Sequence, residues 1–520
     1  MPVAGSKAAT LASALLVGSC LAAACTPAEE TGALADSDEP VTMTVLFPGS
    51  EMIFNPIWDM PAKFLLFLPM LTFDDEGEYV PSLARTWEHS EDYRTWTFHL
   101  RTDVLWHDGV PVSAHDVKFS MELMSRPDIG YFRMQSAAVV DDSTITIVSE
   151  RPTGLDWWTV FYPKHLLEDL DPAEFFRWSF WTDPVGNGPF RYVRHEPDTM
   201  WEMEANPVYW AGKPAIDRLR VKFGGGAVVA ELLSGGVDAA AYVSRPDIPR
   251  LKAEPELHLH HRVSPEVEWI EGIFWNLRHP LLGDPAVRRA LTLAIDRREL
   301  GELQHIPVEL PLFDGFFTGR QFWTGDLPEP LGYDPEEARR LLDEQGWRDS
   351  DADGVRDRDA QPARFTAVIG GSGPSETRSF GQAAVYAQAA FRDVGVEMEI
   401  QTQEAGLRER VERGDFDAVF VRLHTLDQNL ARWFREDSGP GWTDPAMIEL
   451  VQAAHYTRDP AEQDSLYAAM YAIMETWLPI TLLAPQVQWF AANDRIRGLS
   501  SPFRANPLWH AEHLWVEESP

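Results

Sequence analysis

The stretch YVPSLARTWEHSEDYRTWTFHLRTDVLWHDGVPVSAHDVKFSMELM, residues 79–124, combines the signals of a strand, a turn and a helix. Trp96, Phe98 and Leu100 alternate with other residues, and this alternation predicts a strand with one buried face. Ser113 stands three residues before Asp116, and an apolar stripe at helical spacing follows, so the spacing predicts a capped helix. The stretch therefore predicts mixed helix and strand structure.

Two His-Asp pairs in this stretch, His107-Asp108 and His115-Asp116, have the residue types of an acid–base site. Asp108 precedes Gly109 in a turn signal, and Asp116 falls in the first turn of the predicted helix, near its positive end. No nucleophile stands near either histidine in the sequence. We therefore interpret both pairs as structural rather than catalytic.

Strand and helix patterns alternate along the rest of the chain. This alternation predicts an α/β architecture in which helices cover the sheets. The length of 520 residues suggests about three domains or lobes. The 20 Trp residues favour either a ligand cleft with aromatic walls or a large core.

The charge of the chain excludes one class of partner. Acidic residues outnumber basic ones, and the formal net charge is −36. Nucleic-acid binding needs a basic surface, and the sequence shows none, so we expect no nucleic-acid partner. An acidic surface of this kind suits solubility in an extracytoplasmic setting.

The N-terminus predicts export and a lipid anchor. Lys7 precedes an apolar run that ends in small residues before Cys25, a pattern that resembles a bacterial lipobox, with Cys20 as the alternative lipidated residue. We expect residues 1–25 to be a lipoprotein signal peptide and residues 26–42 a flexible tether. Both cysteines of the chain lie in this region, so the predicted mature body has neither a disulfide framework nor a catalytic thiol.

Several stretches together resemble the bacterial extracytoplasmic solute-binding proteins that serve oligopeptide, dipeptide and nickel ABC importers, known as family 5. They occur in the order of the family and cover nearly the whole mature chain. They are the stretch quoted above, YPKHLL (162–167), PVGNGPF (184–190), NPVYWAGKPAIDRLRV (206–221), LLSGGVDAA (232–240), FWNLRHPLLGDPAVRRALTLAIDRREL (274–300) and YDPEEARRLLDEQGW (333–347).

The resemblance implies a two-lobed, periplasmic-binding-protein-like fold of type II with an extra inserted domain, three domains in all. The implied limits are 43–71, 184–273 and 489–520 for a discontinuous first domain, 72–183 for the inserted domain and 274–488 for the second lobe. It also implies a lipid-anchored monomer at the periplasmic or cell-surface side, without a cofactor. Such a protein closes two lobes on a peptide and delivers it to a membrane permease.

The resemblance also implies ligand-binding residues at two places in the chain. Glu51 and Met52 follow the first predicted strand, where the family has a loop at the cleft. VEWIEGIFWNLRHP corresponds to the crossing between lobes, and it offers Trp269, Phe274, Trp275 and Asn276. Because side chains alternate along a strand, we expect about half of this second set to be core residues.

The segment 417–434 departs from the peptide-binding members of the family. Those members often carry a Trp-x-x-Asp-Tyr-like stretch here, whose Asp pairs with the α-amino group of the ligand. In this chain Asp427 could serve after a short gap, or Arg422 and His424 could take the place. An Arg there would select an anionic group.

Two patterns are candidates for metal binding. DSDADGVRDRD begins like an EF-hand loop, but its twelfth position is Ala360, so weak Ca²⁺ binding by Asp349, Asp351 and Asp353 competes with a solvated turn. His258 and His260 share one face of a probable strand. Two ligands are too few for a metal site, so we interpret this pair as a surface strand.

Three alternatives to a peptide receptor stay open. The same receptor role could serve a non-peptide solute, such as an oligosaccharide, a metal chelate or an opine-like compound. A cleft hydrolase would need two facing carboxylates, and the candidates are Glu266, Glu268 and Glu271. A chaperone-like or signalling role on the same scaffold is the third. We expect a receptor that is not an enzyme.

Overall fold

The computed structural model describes most of the chain after its N-terminal region. The described residues are 39–48, 60–74, 79–130, 134–150, 159–197, 199–224, 228–263, 269–306, 330–370, 374–403, 406–424, 439, 441–457, 459–485, 487–499 and 507–517. No helix among them combines the length and the apolar content needed to cross a bilayer.

The strands and helices of these ranges are numbered in chain order. The strands are β1 (Thr42–Pro48), β2 (Leu71–Phe73), β3 (Tyr79–Pro81), β4 (Ala84–His89), β5 (Thr95–Leu100), β6 (Met134–Asp141), β7 (Thr144–Ser149), β8 (Phe190–Glu196), β9 (Met200–Ala205), β10 (Arg218–Gly224), β11 (Ala239–Ala240), β12 (Leu257–Val263), β13 (Trp269–Trp275), β14 (Asp357–Arg358), β15 (Gln361–Pro362), β16 (Arg364–Ile369), β17 (Glu397–Thr402), β18 (Ala418–His424), β19 (Ile480–Pro485), β20 (Val487–Asn493), β21 (Ile496–Arg497) and β22 (Trp515–Val516). The α-helices are α1 (Met60–Leu66), α2 (Ala114–Met124), α3 (Lys164–Leu167), α4 (Val228–Leu233), α5 (Ile248–Lys252), α6 (Pro285–Leu293), α7 (Arg297–Leu303), α8 (Pro335–Glu344), α9 (Pro374–Asp393), α10 (Leu407–Glu412), α11 (Pro445–Tyr456) and α12 (Pro460–Trp477). Short 3-10 helices occupy Pro172–Arg177, Ser179–Thr182, Arg245–Asp247 and Ala511–His513.

The first central sheet has the strand order β12-β20-β11-β1-β10-β9-β8. β1 runs parallel to β10 and β11, and the outer neighbours pair antiparallel. Val45 and Leu46 follow one another on β1 but enter the cores on opposite faces of the sheet. This sheet is therefore apolar on both faces, as expected for parallel strands that are covered on both sides.

The second central sheet has the order β17-β16-β18-β13-β19, with β16 parallel to β17 and β18 and with β13 antiparallel to both of its neighbours. Ala367 and Val368 on β16 again enter cores on opposite faces. Each central sheet is thus the middle layer of its own three-layer unit. The prediction of an α/β architecture with covered sheets is confirmed.

A four-stranded sheet, in the order β4-β5-β7-β6, is built from residues 84–149. Trp96, Phe98 and Leu100 on β5 are buried, as their alternation predicts. They belong to the same core as Met43 and Val45 of the first central sheet. The inserted segment therefore packs onto the first sheet, while the predicted domain limits stay predictions.

One residue of each His-Asp pair, Asp116 and His107, makes structural hydrogen bonds. The Asp116 carboxylate accepts hydrogen bonds from the Ser113 amide at 2.8 Å and from the Lys164 amide at 2.9 Å, so it caps α2 and joins it to α3. His107 Nδ1 accepts a hydrogen bond from the Gly186 amide at 3.1 Å, and Nε2 donates to the Gly188 carbonyl at 3.1 Å.

The loop that contacts His107 depends on its glycines. A Cβ at Gly186 would lie 1.8 Å from the Leu66 carbonyl oxygen, and one at Gly188 would lie 2.5 Å from that of Leu65. Only glycine allows this approach of the loop to α1. The histidine therefore fastens the inserted segment to a loop that leads into the first central sheet.

The buried imidazole of His107 predicts a pH-dependent stability. Burial lowers the pKa of His107 to about 4 from the usual 6.5, because the protonated imidazole would lose its contact with water. Protonation of Nδ1 would also cost the bond from Gly186. The unfolded chain binds this proton below pH 6.5 and the folded chain does not, so stability is present above pH 6.5 and is lost as the pH falls through about 4. Denaturant titration gives the difference in unfolding free energy between wild type and H107Q. This difference should be smaller at pH 4 than at pH 7, by up to about 3 kcal/mol.

The control for this pH experiment is H115N, which changes an exposed histidine of α2. The difference in unfolding free energy between wild type and H115N should vary less with pH than that between wild type and H107Q. An equal pH dependence in wild type and H107Q would contradict the assignment of a neutral, buried imidazole.

Candidate functional site

The chain crosses between the two central sheets at two adjacent places. β12 ends at Val263 and β13 begins at Trp269, while β19 ends at Pro485 and β20 begins at Val487. β12 pairs with β20 in the first sheet, and β13 pairs with β19 in the second. The ends of the two crossings therefore lie side by side in both sheets, as the two connections of a hinge do.

Both crossings connect the carboxyl-terminal edges of parallel strands. In the first sheet this edge holds the ends of β1, β10 and β11, and in the second it holds the ends of β16, β17 and β18. Ligands of open α/β sheets bind at the carboxyl ends of the strands. The candidate site is therefore the junction where these two edges meet.

A buried ion pair joins the two lobes at this junction. Arg245 lies in the 3-10 helix that follows β11, and its two terminal nitrogens each donate to an oxygen of Glu271 on β13 at 2.8 Å. Arg245 also donates to the Gln304 side-chain oxygen at 3.1 Å, and Gln304 donates to the Ser379 carbonyl at 3.1 Å. All four residues are buried. A guanidinium of the first lobe is thus held inside the second.

Arg422 adds a second guanidinium to this ion pair. It stands opposite Glu271 in the ladder of β13 and β18, and its Nη2 donates to Glu271 Oε1 at 3.4 Å. Its side chain is 24% exposed, against 5% for Arg245 and 3% for Glu271. Arg422 is therefore the member of this cluster that is most accessible to an incoming anionic group.

The two guanidinium groups decide the ionisation of Glu271. Burial alone would raise the pKa of this carboxyl, but attraction to Arg245 and Arg422 and their hydrogen bonds outweigh burial and lower the pKa. Glu271 is therefore an ionised structural partner. This state does not suit the general acid that the hydrolase alternative would require.

Tyr242 is an exposed aromatic residue at the carboxyl end of β11. Its side chain is 39% exposed, and its backbone has a φ of +50°, which is uncommon for a bulky residue. Its ring meets the edge of Phe47 at the end of β1, with centroids 6.0 Å apart. A strained backbone at the edge of a junction is a feature of ligand-contacting positions.

Arg245 and Tyr242 are not among the residues that the sequence predicts for the site. In the sequence, a short strand followed by Ser-Arg-Pro predicts residues at the carboxyl edge of a sheet. The pattern does not predict which of their side chains point out of the sheet. The left-handed backbone of Tyr242 and the reach of Arg245 into the other lobe are tertiary properties.

The predicted cleft residues Phe274 and Trp275 are corrected to core residues. Phe274 packs against Met447 and Met470 on one face of the second sheet. Trp275 lies on the other face with Phe365, and its Nε1 donates to Thr481 at 3.1 Å. Strand alternation sends the two rings to opposite cores, and neither faces the junction.

Asn276 is also corrected to a structural residue. Its Nδ2 donates to the carbonyl oxygens of Phe416 at 2.6 Å and Gly414 at 3.2 Å, and its Oδ1 accepts from the Arg278 amide at 3.1 Å. Through these bonds the side-chain amide of Asn276 attaches the turn after β13 to the segment before β18.

The other predicted binding residues are described only in part or not at all. The backbones of Trp269 and His424 pair directly, at the junction ends of β13 and β18. Their side chains lie outside the described residues, as do Glu51, Met52, Asp427, Glu266, Glu268, Cys20 and Cys25.

The acidic loop brings its three predicted Ca²⁺ ligands close together, but this proximity does not test whether they bind the ion. One carboxylate oxygen from each of Asp349, Asp351 and Asp353 lies within 4.8 Å of the others, and all three residues are exposed. Asp349 accepts from the Gly354 amide at 3.1 Å, as an acidic turn does without an ion. Weak Ca²⁺ binding stays a prediction.

The histidine pair on β12 forms part of an edge strand. His258 is exposed, while His260 stacks on Phe490 of β20 with ring centroids 4.6 Å apart. This stacking agrees with the interpretation of a surface strand.

Comparison with known proteins gives a family match over most of the chain. The model of the bacterial extracellular solute-binding proteins, family 5 middle region, matches residues 78–433. A protein of Brucella ovis named as an ABC transporter peptide-binding protein is 30% identical over 298 residues, 54% of this chain. That match spans about half of the relative, 55% of its length.

Longer matches have lower identity. The dipeptide-binding protein of Escherichia coli is 24% identical, over 85% of this chain and 86% of that protein. Heme-binding protein A of Haemophilus influenzae is 26% identical, over 81% of this chain and 82% of that protein.

Solved structures share the fold. NikZ of Campylobacter jejuni, in complex with Ni(L-His), aligns with a TM-score of 0.74 and 22% identity over 92% of this chain and 99% of that one. AppA of Bacillus subtilis, in complex with a nonapeptide, aligns with a TM-score of 0.72 and 21% identity over 92% of this chain and 100% of that one. These alignments confirm the two-lobed α/β fold. From the family match, the chain belongs to the bacterial extracellular solute-binding proteins, family 5.

Proposed function

We propose that this protein is the extracytoplasmic receptor of an ABC importer, that it captures peptides between two lobes, and that it delivers them to a membrane permease. The observation that carries the proposal is the junction of two carboxyl sheet edges, spanned by two adjacent crossings and by the Arg245–Glu271 pair. A solute that contacts both edges stabilises the closed state, and only this differential contact drives closure.

Peptide recognition would use the strands at the junction. An extended peptide offers main-chain donors and acceptors to strand edges, so its affinity depends little on its side chains. Tyr242 supplies an exposed aromatic surface in the first lobe, and Arg422 supplies a cation in the second. Arg422 suits the carboxylate of a peptide.

A non-peptide anionic solute is the second candidate. Two guanidinium groups and one carboxylate make up the described ion cluster, which suits an anion better than an α-amino group. Relatives named for heme binding and in complex with Ni(L-His) are consistent with such a solute. A metal chelate or an opine-like compound would meet the same arginine.

The setting of the proposed receptor follows from its N-terminus and its charge. We propose that Cys25 carries the lipid anchor, with Cys20 as the alternative, and that the monomer lies on the outer side of the membrane. No catalytic step is part of the proposal, because binding and release suffice for a receptor.

Mass spectrometry of the solute released by denaturation tests the proposed function. Protein purified without added ligand should release a mixture of short peptides, and adding them back should raise the melting temperature without turnover, since a ligand that binds only the folded state stabilises it. One defined small molecule would support the second candidate. Chemical alteration of the added solute would contradict the receptor.

The exposed ring of Tyr242 should contribute to affinity. Y242A should weaken binding of the released solute by at least about tenfold, or about 1.4 kcal/mol, because truncation removes an aromatic contact in the junction. The matched control is Y93A, because Tyr93 has a φ of +53° but lies between β4 and β5, far along the chain from the junction. Calorimetric titration should give the wild-type Kd for Y93A, and equal loss in both variants would contradict the role of Tyr242.

The Arg245–Glu271 pair should govern lobe closure. E271Q leaves two guanidinium groups without their carboxylate, and loss of one partner from a buried pair costs about 3–5 kcal/mol. We expect a lower free energy of unfolding and a larger radius of gyration by X-ray scattering, because the pair no longer holds the lobes together.

The control for closure is E202Q. Glu202 is buried, and its carboxylate oxygens lie 2.9 Å from Arg194 Nη2 and 3.4 Å from Arg218 Nη1. All three residues belong to the first sheet. E202Q should therefore lower stability without changing the radius of gyration. The same scattering curve for wild type and E271Q would contradict a closure role for the pair.

A further inference from the structure

A His–Glu–His cluster lies outside the interlobe junction, in the C-terminal segment. His510 precedes the 3-10 helix Ala511–His513, which contains Glu512 and His513. One potential ligand atom from each of the three lies within 4.8 Å of the other two. This short helix and its flanking residues pack on the core of the first lobe through Leu508, Ala511 and Leu514.

The imidazole of His510 is oriented by its second nitrogen. Nε2 lies 2.9 Å from the carbonyl oxygen of Phe73 on β2. A carbonyl only accepts, so Nε2 carries the hydrogen and donates it. Histidines that bind a metal typically donate the other ring N–H to a carbonyl or carboxylate in this way, because the bond fixes the tautomer and the ring orientation.

The other nitrogen of His510 faces a half-buried carboxylate. Nδ1 lies 3.1 Å from Glu512 Oε1, and the two side chains are each 17% exposed. Without an ion, a proton must occupy this contact.

His510 keeps a left-handed backbone, with φ +54°. A non-glycine residue in this conformation must be held there by its surroundings.

We propose that His510, Glu512 and His513 form a Zn²⁺ site in the C-terminal segment. Two imidazoles and a carboxylate are a donor set that zinc takes, and water completes the fourth position. Ligands of a tetrahedral zinc ion lie about 3.3 Å apart, given bonds of about 2.0–2.1 Å. The His510–Glu512 contact already matches this spacing, and the exposed side chain of His513 needs only to turn towards it.

Binding is an exchange of a proton for the metal. Zn²⁺ bonds to Nδ1 of His510, and the proton held between Nδ1 and Glu512 leaves to solvent. Nε2 keeps its hydrogen and its bond to Phe73. The ion would therefore strengthen the attachment of the C-terminal segment to β2.

The acidic loop differs from this cluster in its donor atoms and in its exposure. Asp349, Asp351 and Asp353 offer only carboxylate oxygens, and all three are exposed. Such oxygens suit Ca²⁺ or Mg²⁺ rather than zinc, which prefers imidazole nitrogen. The His–Glu–His cluster has imidazole donors and a bond that orients one of them.

Calorimetric titration of metal-free, untagged protein with ZnCl₂ tests the site. We expect one zinc ion per chain and a higher melting temperature when zinc is present. Loss of a residue that only orients a metal ligand costs about 10–100-fold in metal affinity, so removal of a ligand itself in H513N or E512Q should weaken binding by at least about tenfold.

H513N keeps the test independent of folding. His513 is exposed, and the His510–Glu512 contact stays intact when it changes. H258N, which alters an exposed histidine on β12, is the matched control and should bind zinc as the wild type does. Anomalous diffraction at the zinc edge should place the ion between His510 and Glu512.

Either of two results would overturn the proposal. Wild-type protein that takes up no zinc would do so. Wild-type affinity in both H513N and E512Q would show that zinc binds elsewhere. Neither result bears on the solute receptor, because the three residues lie outside the junction.

Discussion

The Arg245–Glu271 ion pair is the contact on which the junction between the lobes depends. Two charges are buried together here, and burial of charge is costly unless the geometry and the further hydrogen bonds are good. The bidentate contact at 2.8 Å and the additional bond to Gln304 meet both conditions. Its two partners come from different lobes, so the pair links the first central sheet to the second.

The topology of the sheets explains why this contact lies where a solute would bind. Carboxyl edges of parallel strands carry exposed main-chain groups and the turns that follow them. Two adjacent crossings connect these two edges. Arg245, Tyr242 and Arg422 all lie at or near these edges, although they are far apart in the sequence. His107 and Asp116 instead fix the inserted sheet through hydrogen bonds to the Gly186 and Lys164 amides.

Local patterns predicted much of the fold. The alternation at Trp96, Phe98 and Leu100 gave a strand with a buried face, and Ser113 with Asp116 gave the start of a helix, because both signals depend on neighbours in sequence. The site was predicted less well. Phe274 and Trp275 have the residue types of a cleft, but on β13 they face the cores of a sheet that is covered on both sides. Arg245 was missed because its partner, Glu271, is 26 residues away and in the other lobe.

A second buried arginine shows the same use of the guanidinium geometry. The chain has 38 Arg and seven Lys, and the buried Arg288 shows what the guanidinium provides. Its Nε donates to the carbonyl oxygens of Trp477 and Leu478 at 3.0 Å, where α12 ends, and Nη1 donates to that of Leu282 at 2.5 Å. Burial lowers the pKa of Arg288 to about 10, so it stays charged near neutral pH against the negative end of the helix.

A planar fork can satisfy several acceptors from different elements at once, whereas an ammonium group cannot match that geometry. Arg288 uses its fork to join α6 to the end of α12 within one lobe. Arg245 uses the same fork across the junction, where its acceptors come from β13 and from the end of α7. The two contacts therefore differ in where their acceptors lie. Carbonyls of one lobe keep Arg288 in place, while Arg245 depends on a carboxylate that the other lobe provides.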